Sequence, residues 1–193
     1  MGILTLSKKS HEKKGIFFEK LVLGASSFGG DIIESKNKQY ALFHPSVSRK
    51  TLSLIKNNKV IWKKEFDNLV SFDLANDGSY VVVTTQLTEK EYGKKSYKSG
   101  GHIYLVNRSG KILLDRRTPG DGLSCSISPD NKLFGVTTMG PEWGVYYFDN
   151  QGKLVWNKRF NKSVGGIEVT NMDIILYDKM HKPTRKKCSY WRI

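Results

Sequence analysis

The residues able to do chemistry in this 193-residue sequence are cations interleaved with aromatic rings, and they fall into three sets. Residues 87–100, LTEKEYGKKSYKSG, place Lys90, Lys94, Lys95 and Lys98 around Tyr92 and Tyr97. Lysines neutralise phosphates while tyrosine rings stack on bases, so this mixture suits a nucleic-acid strand. A solvated hairpin tip has the same composition. Residues 179–193, KMHKPTRKKCSYWRI, bring Arg185, Lys186 and Lys187 close to Tyr190 and Trp191 with no acid among them. They read as a second basic arm, or as a solvated tail. The third set is Lys64, Arg116 and Lys158, each two residues after Trp62, Leu114 and Trp156. If those positions are equivalent, the three cations form a basic ring near a rim, although charge on outer edges also guards against edge-to-edge pairing. Trp143, in the tip Gly140-Pro141-Glu142-Trp143, is an aromatic anchor of the kind that dominates protein interfaces.

Catalytic and metal-binding patterns are not found. His11, His44, His102 and His181 lack metal-ligand spacing, and only His181 has a cysteine, Cys188, in its neighbourhood. Ser124, Ser126 and Ser128 have no nucleophile-elbow context, and Cys125 reads as a packed residue. The pairs Gly29-Gly30, Gly100-Gly101 and Gly165-Gly166 are not a phosphate loop. Asp31, Asp73 and Asp121 are candidates to face a central channel, but spacing alone gives no acid-base pair. No enzyme activity, metal or cofactor is expected.

These residues must be positioned by a repeat. Residues 71–85, SFDLANDGSYVVVTT, match residues 124–138, SCSISPDNKLFGVTT. Residues 102–116, HIYLVNRSGKILLDR, superpose on 144–158, GVYYFDNQGKLVWNK. Residues 123–160 read as four short strands joined by turns at Pro129-Asp130-Asn131, Gly140-Pro141-Glu142 and Asp149-Asn150-Gln151-Gly152. The fragment SISPDNKLFGVTT followed by VYYFDNQGKLVW resembles the repeat of WD-type and quinoprotein-like (PQQ-like) β-propellers over roughly residues 29–178. The resemblance implies an all-β fold, a small propeller of about four blades, and is nearly silent on function. The Trp-Asp dipeptide and Gly-His pair of WD repeats are absent, as is any match to a quinone site.

The expected organisation is a single domain. An N-terminal segment, 1–28, offers residues 16–23 as a closing strand; repeats follow at 29–67, 68–118 and 119–162, and 163–193 form a partial repeat with a basic tail whose residues 188–193 are a candidate third strand. Residues 87–100 are an insertion between the second and third strands of the second repeat. Two cysteines make no disulfide framework, and the N-terminus reads neither as a secretory signal nor as a membrane span, so a cytoplasmic location is expected. The net charge of +14, from 32 Lys and Arg against 18 Asp and Glu, exceeds what solubility requires and favours a polyanionic partner. The sequence thus predicts a non-enzymatic module docking on RNA, DNA or a ribonucleoprotein, with no membrane partner. The alternatives are a protein-protein scaffold binding other subunits and, behind it, an enzyme with its site in the channel mouth.

Overall fold

The computed structural model describes residues 30–46, 48, 50–87, 100–140 and 143–177. Among them are fourteen strands and no helix. The first four are β1 (Gly30–Glu34), β2 (Tyr40–Pro45), β3 (Thr51–Lys56) and β4 (Lys59–Glu65), and the next four are β5 (Leu69–Leu74), β6 (Tyr80–Thr85), β7 (Gly101–Asn107) and β8 (Ile112–Thr118). Then come β9 (Asp121–Ile127), β10 (Leu133–Met139), β11 (Trp143–Asp149) and β12 (Leu154–Phe160), and finally β13 (Gly166–Val169) and β14 (Ile174–Tyr177). Each group of four pairs antiparallel in chain order, giving three complete blades and, among the described residues, two strands of a fourth. The expected small all-β propeller of three full repeats and a partial fourth is what the chain forms.

Turn chemistry sets the blades. At the first turn of blade 3, Ser128 Oγ accepts from the Leu133 N–H at 3.0 Å and donates to Asp130 Oδ1 at 2.7 Å. Blade 1 repeats this with Ser35, Tyr40 and Asn37. Each such turn needs one residue at positive φ, filled by Lys38, Gly78 and Asn131 in blades 1, 2 and 3. The outer hairpins of blades 2 and 3 close on Asn107 and Asp149, whose side chains accept two backbone N–H bonds each, with Gly110 and Gly152 at φ 85° and 86°. Blade 1 uses the shorter Asn57-Asn58 turn, both residues at positive φ, which matches the twist of a hairpin.

The blades stack face to face. Tyr40, Leu42, Leu52, Leu54 and Trp62 of blade 1 meet Val81, Val83 and Val106 of blade 2. The opposite face of blade 2, with Tyr80, Val82, Ile103 and Leu105, meets Phe134, Val136, Tyr146 and Phe148 of blade 3. A middle blade is therefore apolar on both faces, which is why β6 reads YVVVTT without alternation and is buried throughout. Phe134 and Phe148 lie stacked at 4.9 Å, and burying a side chain of that size is worth about 1.5–3 kcal/mol.

Polar side chains stitch the blades together as well. On inner strand β5, Asp73 Oδ2 accepts the N–H of Ile127 on β9 at 2.8 Å. At the equivalent position of β9, Ser126 Oγ accepts the N–H of Val169 on β13 at 3.0 Å. Between the first turns, Asn76 donates twice to blade 3: from its backbone to Asn131 Oδ1 and from its side chain to the Pro129 carbonyl.

Candidate interaction surface

The outermost strand of each complete blade carries the same irregularity at the same place. β4 pairs with β3 as Leu54↔Trp62 and then Ile55↔Val60, so Ile61 is left over. β8 leaves Leu113 between Leu105↔Leu114 and Val106↔Ile112. β12 leaves Val155 between Tyr147↔Trp156 and Phe148↔Leu154. A β-bulge re-aims the extra side chain, and edge strands are where bulges collect. Here the three extra residues are apolar and solvent-exposed, at 38% for Ile61, 44% for Leu113 and 45% for Val155. Val60 and Ile112 beside them are also exposed. Residues Trp62, Leu114 and Trp156 instead turn toward the blade stack, where they belong to or flank the buried clusters.

Cations border this apolar series. Lys59, Lys63 and Lys64 accompany β4, Lys111, Arg116 and Arg117 accompany β8, and Lys153, Lys158 and Arg159 accompany β12, against Glu65 and Asp115. Asp115 is already engaged with His102 Nδ1 at 2.6 Å. The rim of the described blades is therefore apolar at its bulges and positive around them.

Where the rim meets the turn end, a crevice of about 550 Å3 opens between blades 1 and 2, lined by Tyr40, Lys56, Ile61, Ser79, Asn107 and Arg108, with Ser109 at its edge. Its floor is the Tyr40 ring, 2% exposed, with the Arg108 guanidinium 4.9 Å and the Lys56 ammonium 5.2 Å from the ring centroid. Arg108 is tethered by donating from Nε to the Gly78 carbonyl at 3.1 Å and from Nη2 to the Asp77 carbonyl at 3.0 Å.

The interior offers less chemistry. Burial pushes the Asp73 carboxyl above the ordinary carboxylate range, an effect that the N–H bonds from Ile127 and Leu74 only partly reverse. Burial, helped by the nearby Asp73 charge, also pushes the Cys125 thiol up, so the thiolate needed for reactivity is suppressed. Among the described residues no group of His, Cys, Asp and Glu is placed to hold a metal ion, and no helix is long and apolar enough to cross a membrane. Asp31 lies 3.7 Å from His44, and Asp121 accepts the Gly100 N–H at 2.7 Å, so the three candidate channel acids have separate partners.

No family model and no curated protein matches the sequence. Solved structures do match in fold. The β-propeller domain of Cps50 (Swd1) from Myceliophteria thermophila aligns at TM-score 0.53 and 12% identity, over 91% of this chain and 55% of that one. The WD40 repeats of RRP9 align at TM-score 0.54 and 7% identity, over 76% of this chain and 43% of that one. A structure described as the eukaryotic initiation factor aligns at TM-score 0.51 and 11% identity, over 68% and 32%. The fold is that of a β-propeller. This chain spans about half the length of these solved structures, or less.

Lys90, Tyr92, Lys94, Lys95, Tyr97 and Lys98 lie outside the described residues, as do Arg185, Lys186, Lys187 and Trp191, the closing-strand residues 16–23 and the third-strand residues 188–193. The strands bounding the insertion, β6 and β7, are second and third in blade 2. Lys64, Arg116 and Lys158 do occupy equivalent register positions, opposite Leu52, Ile103 and Val145. Their surroundings differ: Arg116 is half-buried with its guanidinium 5.9 Å from the Tyr146 and Phe148 rings of blade 3, while Lys158 stands exposed over Phe160 at 5.5 Å. Trp143 is half-buried at the start of β11, opposite Phe160. The bulge residues Ile61, Leu113 and Val155 escaped the sequence reading. Their signal is the triple run Lys59-Val60-Ile61-Trp62, Lys111-Ile112-Leu113-Leu114 and Lys153-Leu154-Val155-Trp156, where three consecutive apolar residues break strand alternation after a lysine.

Proposed function

We propose that this chain is a non-enzymatic propeller module that binds a protein partner along its outer rim, through the bulge residues Ile61, Leu113 and Val155 and the cations around them. The observation that carries this reading is the threefold recurrence of an exposed apolar residue at a bulge. One exposed leucine is ordinary, but equivalent ones on three successive edge strands make a periodic strip. Bulges twist an edge away from strand pairing, so the strip serves side-chain contact and resists sheet extension. The surrounding lysines and arginines select for an acidic partner and steer its approach.

A second reading, docking on RNA, DNA or a nucleoprotein assembly, is favoured by the net charge of +14. The described surface supports it less well, because the large apolar residues exposed there are aliphatic or methionine and include no aromatic ring for base stacking.

Affinity capture with the full chain separates the two. The triple variant Ile61→Ser, Leu113→Ser, Val155→Ser should lose protein partners that nuclease treatment leaves bound at about 0.2 M salt. If bound material instead vanishes with nuclease, or between about 0.05 and 0.2 M salt in proportion to the charges removed, the polyanion reading replaces the rim reading.

A further inference from the structure

The crevice between blades 1 and 2 is built differently from its equivalent between blades 2 and 3. Lys56 ends β3 of blade 1, two residues after the bulge-paired Leu54; the residue so placed in blade 2, after Leu105, is Asn107. Arg108 follows the first residue of its outer turn, Asn107, as Asn150 follows Asp149. The corresponding positions between blades 2 and 3 are thus asparagines where the first crevice has two cations, and Asn150 donates from Nδ2 to the Asn131 carbonyl of its own blade at 3.1 Å, as Arg108 donates to Gly78. Folding a blade onto its neighbour does not require charge at these positions. The Ser79 position becomes Lys132 in blade 3, but that ammonium is paired with Asp130 at 3.4 Å.

Neither cation is held in a close ion pair, although Arg108 interacts electrostatically with the Asp77 carboxylate. Among the described residues, none of the ion pairs involves Lys56 or Arg108. Arg108 uses two N–H donors on backbone carbonyls, out of the five that a guanidinium carries. Those two bonds fix its plane beside the Tyr40 ring, so it is pre-organised for an incoming acceptor and loses little side-chain entropy on binding. Ser79 and Asn107 add neutral polar groups to the lining, the Ser109 hydroxyl donates to Asn107 Oδ1 at 2.8 Å, and Ile61 supplies an apolar wall at 38% exposure. The Tyr40 ring is nearly fully buried beneath the cations and offers no face to a base.

From this arrangement we infer that the crevice between blades 1 and 2 is a binding site for a carboxylate side chain of an acidic peptide segment, with an adjacent apolar residue of that segment against Ile61. The site deepens the rim reading and rests on it for the class of partner, since Ile61 belongs to both. A guanidinium and an ammonium converging on one volume match a carboxylate flanked by backbone, and the aliphatic wall favours a peptide over a bare phosphate chain.

The test uses the full chain and a short fluorescein-labelled peptide of glutamates and leucines, followed by fluorescence anisotropy. Lys56→Gln and Arg108→Gln should each weaken binding about tenfold, whereas Lys162→Gln, which removes the same charge elsewhere, should change it less than about twofold. Because Arg108 also braces Tyr40, Ser109→Glu gives an independent arm: it places a competing carboxylate at the crevice edge without touching the Tyr40 stack, and should weaken binding as strongly. Replacing the peptide's glutamates by glutamines should abolish binding. Equal losses in Lys56→Gln and Lys162→Gln, or tight binding of the glutamine peptide, would overturn the site. So would oligo(dT) or millimolar inorganic phosphate displacing the peptide through the same two cations at lower concentration than free glutamate peptide does, which would assign the crevice to phosphate. A double rim variant, Leu113→Ser with Val155→Ser, spares Ile61 and keeps the two readings apart. Peptide binding that survives Lys56→Gln and Arg108→Gln but is lost in the rim variant leaves the rim standing and removes the crevice; the reverse pattern removes the rim.

Discussion

Asp73 is the place where the stacking of blades can be measured. Its carboxylate accepts from Leu74 N–H through Oδ1 and from Ile127 N–H in the next blade through Oδ2, both at 2.8 Å. Asp73→Ala leaves both donors without their acceptor in the interface, at a cost of about 1–3 kcal/mol for such a group. The lower half of that range, about 1.5 kcal/mol, applies because Asp73 is half-buried. Asp73→Ser is the informative control, for Ser126 performs the same task one blade later with a hydroxyl. It preserves an acceptor for Ile127 and removes a charge that burial disfavours. In thermal unfolding, Asp73→Ala should therefore melt about 3–6 °C below Asp73→Ser for a domain of this size. The two should also differ from wild type in pH dependence. Because burial raises the folded-state pKa of Asp73, its relative contribution is fully present below the unfolded value of 3.8 and is lost as pH rises through the raised one. Wild type should then gain stability relative to Asp73→Ser as pH falls from neutrality toward 4. Coincident melting of the Ala and Ser variants, or a wild-type-to-Ser difference that is flat with pH, would refute the view that this carboxylate links blades 2 and 3 at an electrostatic cost.

Three other outcomes follow from the packing. Gly78 has φ +68°, and a Cβ there would lie 2.3 Å from two atoms of the Tyr40 ring, so Gly78→Ala should cost about 3 kcal/mol, read from the urea midpoint. In a Cys188→Ser background, Cys125 should resist iodoacetamide until the chain unfolds, since it is 9% exposed and its thiol is pushed toward the neutral form. The triple rim variant should leave the unfolding free energy within about 1.5 kcal/mol of wild type, about 0.5 for each substitution, because its three residues are exposed; a larger loss would show that the bulges serve the core.

The architecture was legible because blade turns are local chemistry. Ser128-Pro129-Asp130-Asn131 and Asn107-Arg108-Ser109-Gly110 spell their turns in side-chain acceptors and positive-φ residues, and the strands between them follow. The faces were less legible. In β9 the sequence alternates Leu123, Cys125 and Ile127 against serines, yet the ladder to β10 shifts register between Thr137 and Thr138, so alternation alone does not fix orientation along the whole strand. The rim was only partly legible for a similar reason. Counting from Trp62, Leu114 and Trp156 correctly aligned Lys64, Arg116 and Lys158, but period-2 reasoning cannot say that Arg116 reaches the Tyr146 and Phe148 rings of the next blade. Nor can it mark Ile61, Leu113 and Val155 as extra residues, because a bulge is defined by the partner strand. The crevice was invisible for the most general reason: Tyr40, Lys56 and Arg108 come from three turns in two blades, and only stacking brings them together.

The inner-strand acceptors run in one direction along the arc. Asp73 of blade 2 serves Ile127 of blade 3, and Ser126 of blade 3 serves Val169 of blade 4. Asp73 lies two residues before Ala75, and Ser126 two before Ser128; the residue two before Thr170 is Glu168, so blade 4 repeats the acceptor. Glu168 is exposed, and the hydroxyl that donates to it is that of Tyr177 on the neighbouring strand of its own blade. An acceptor that elsewhere joins blade to blade is thus satisfied internally at the last described strand pair. This bond raises the Tyr177 hydroxyl pKa above 10, chiefly through donation to Glu168 and further through the carboxylate charge. Ultraviolet titration should show the consequence. The difference between wild type and Tyr177→Phe isolates this phenol from the buried Tyr80 and Tyr147, whose pKa values are also raised. That phenol should ionise above the ordinary tyrosine range in wild type and fall back toward it in Glu168→Gln, which weakens the acceptor and removes the charge. An unchanged titration of Tyr177 in Glu168→Gln would mean that the pair is not formed in solution and that the Glu168 carboxylate stands open at the end of the arc.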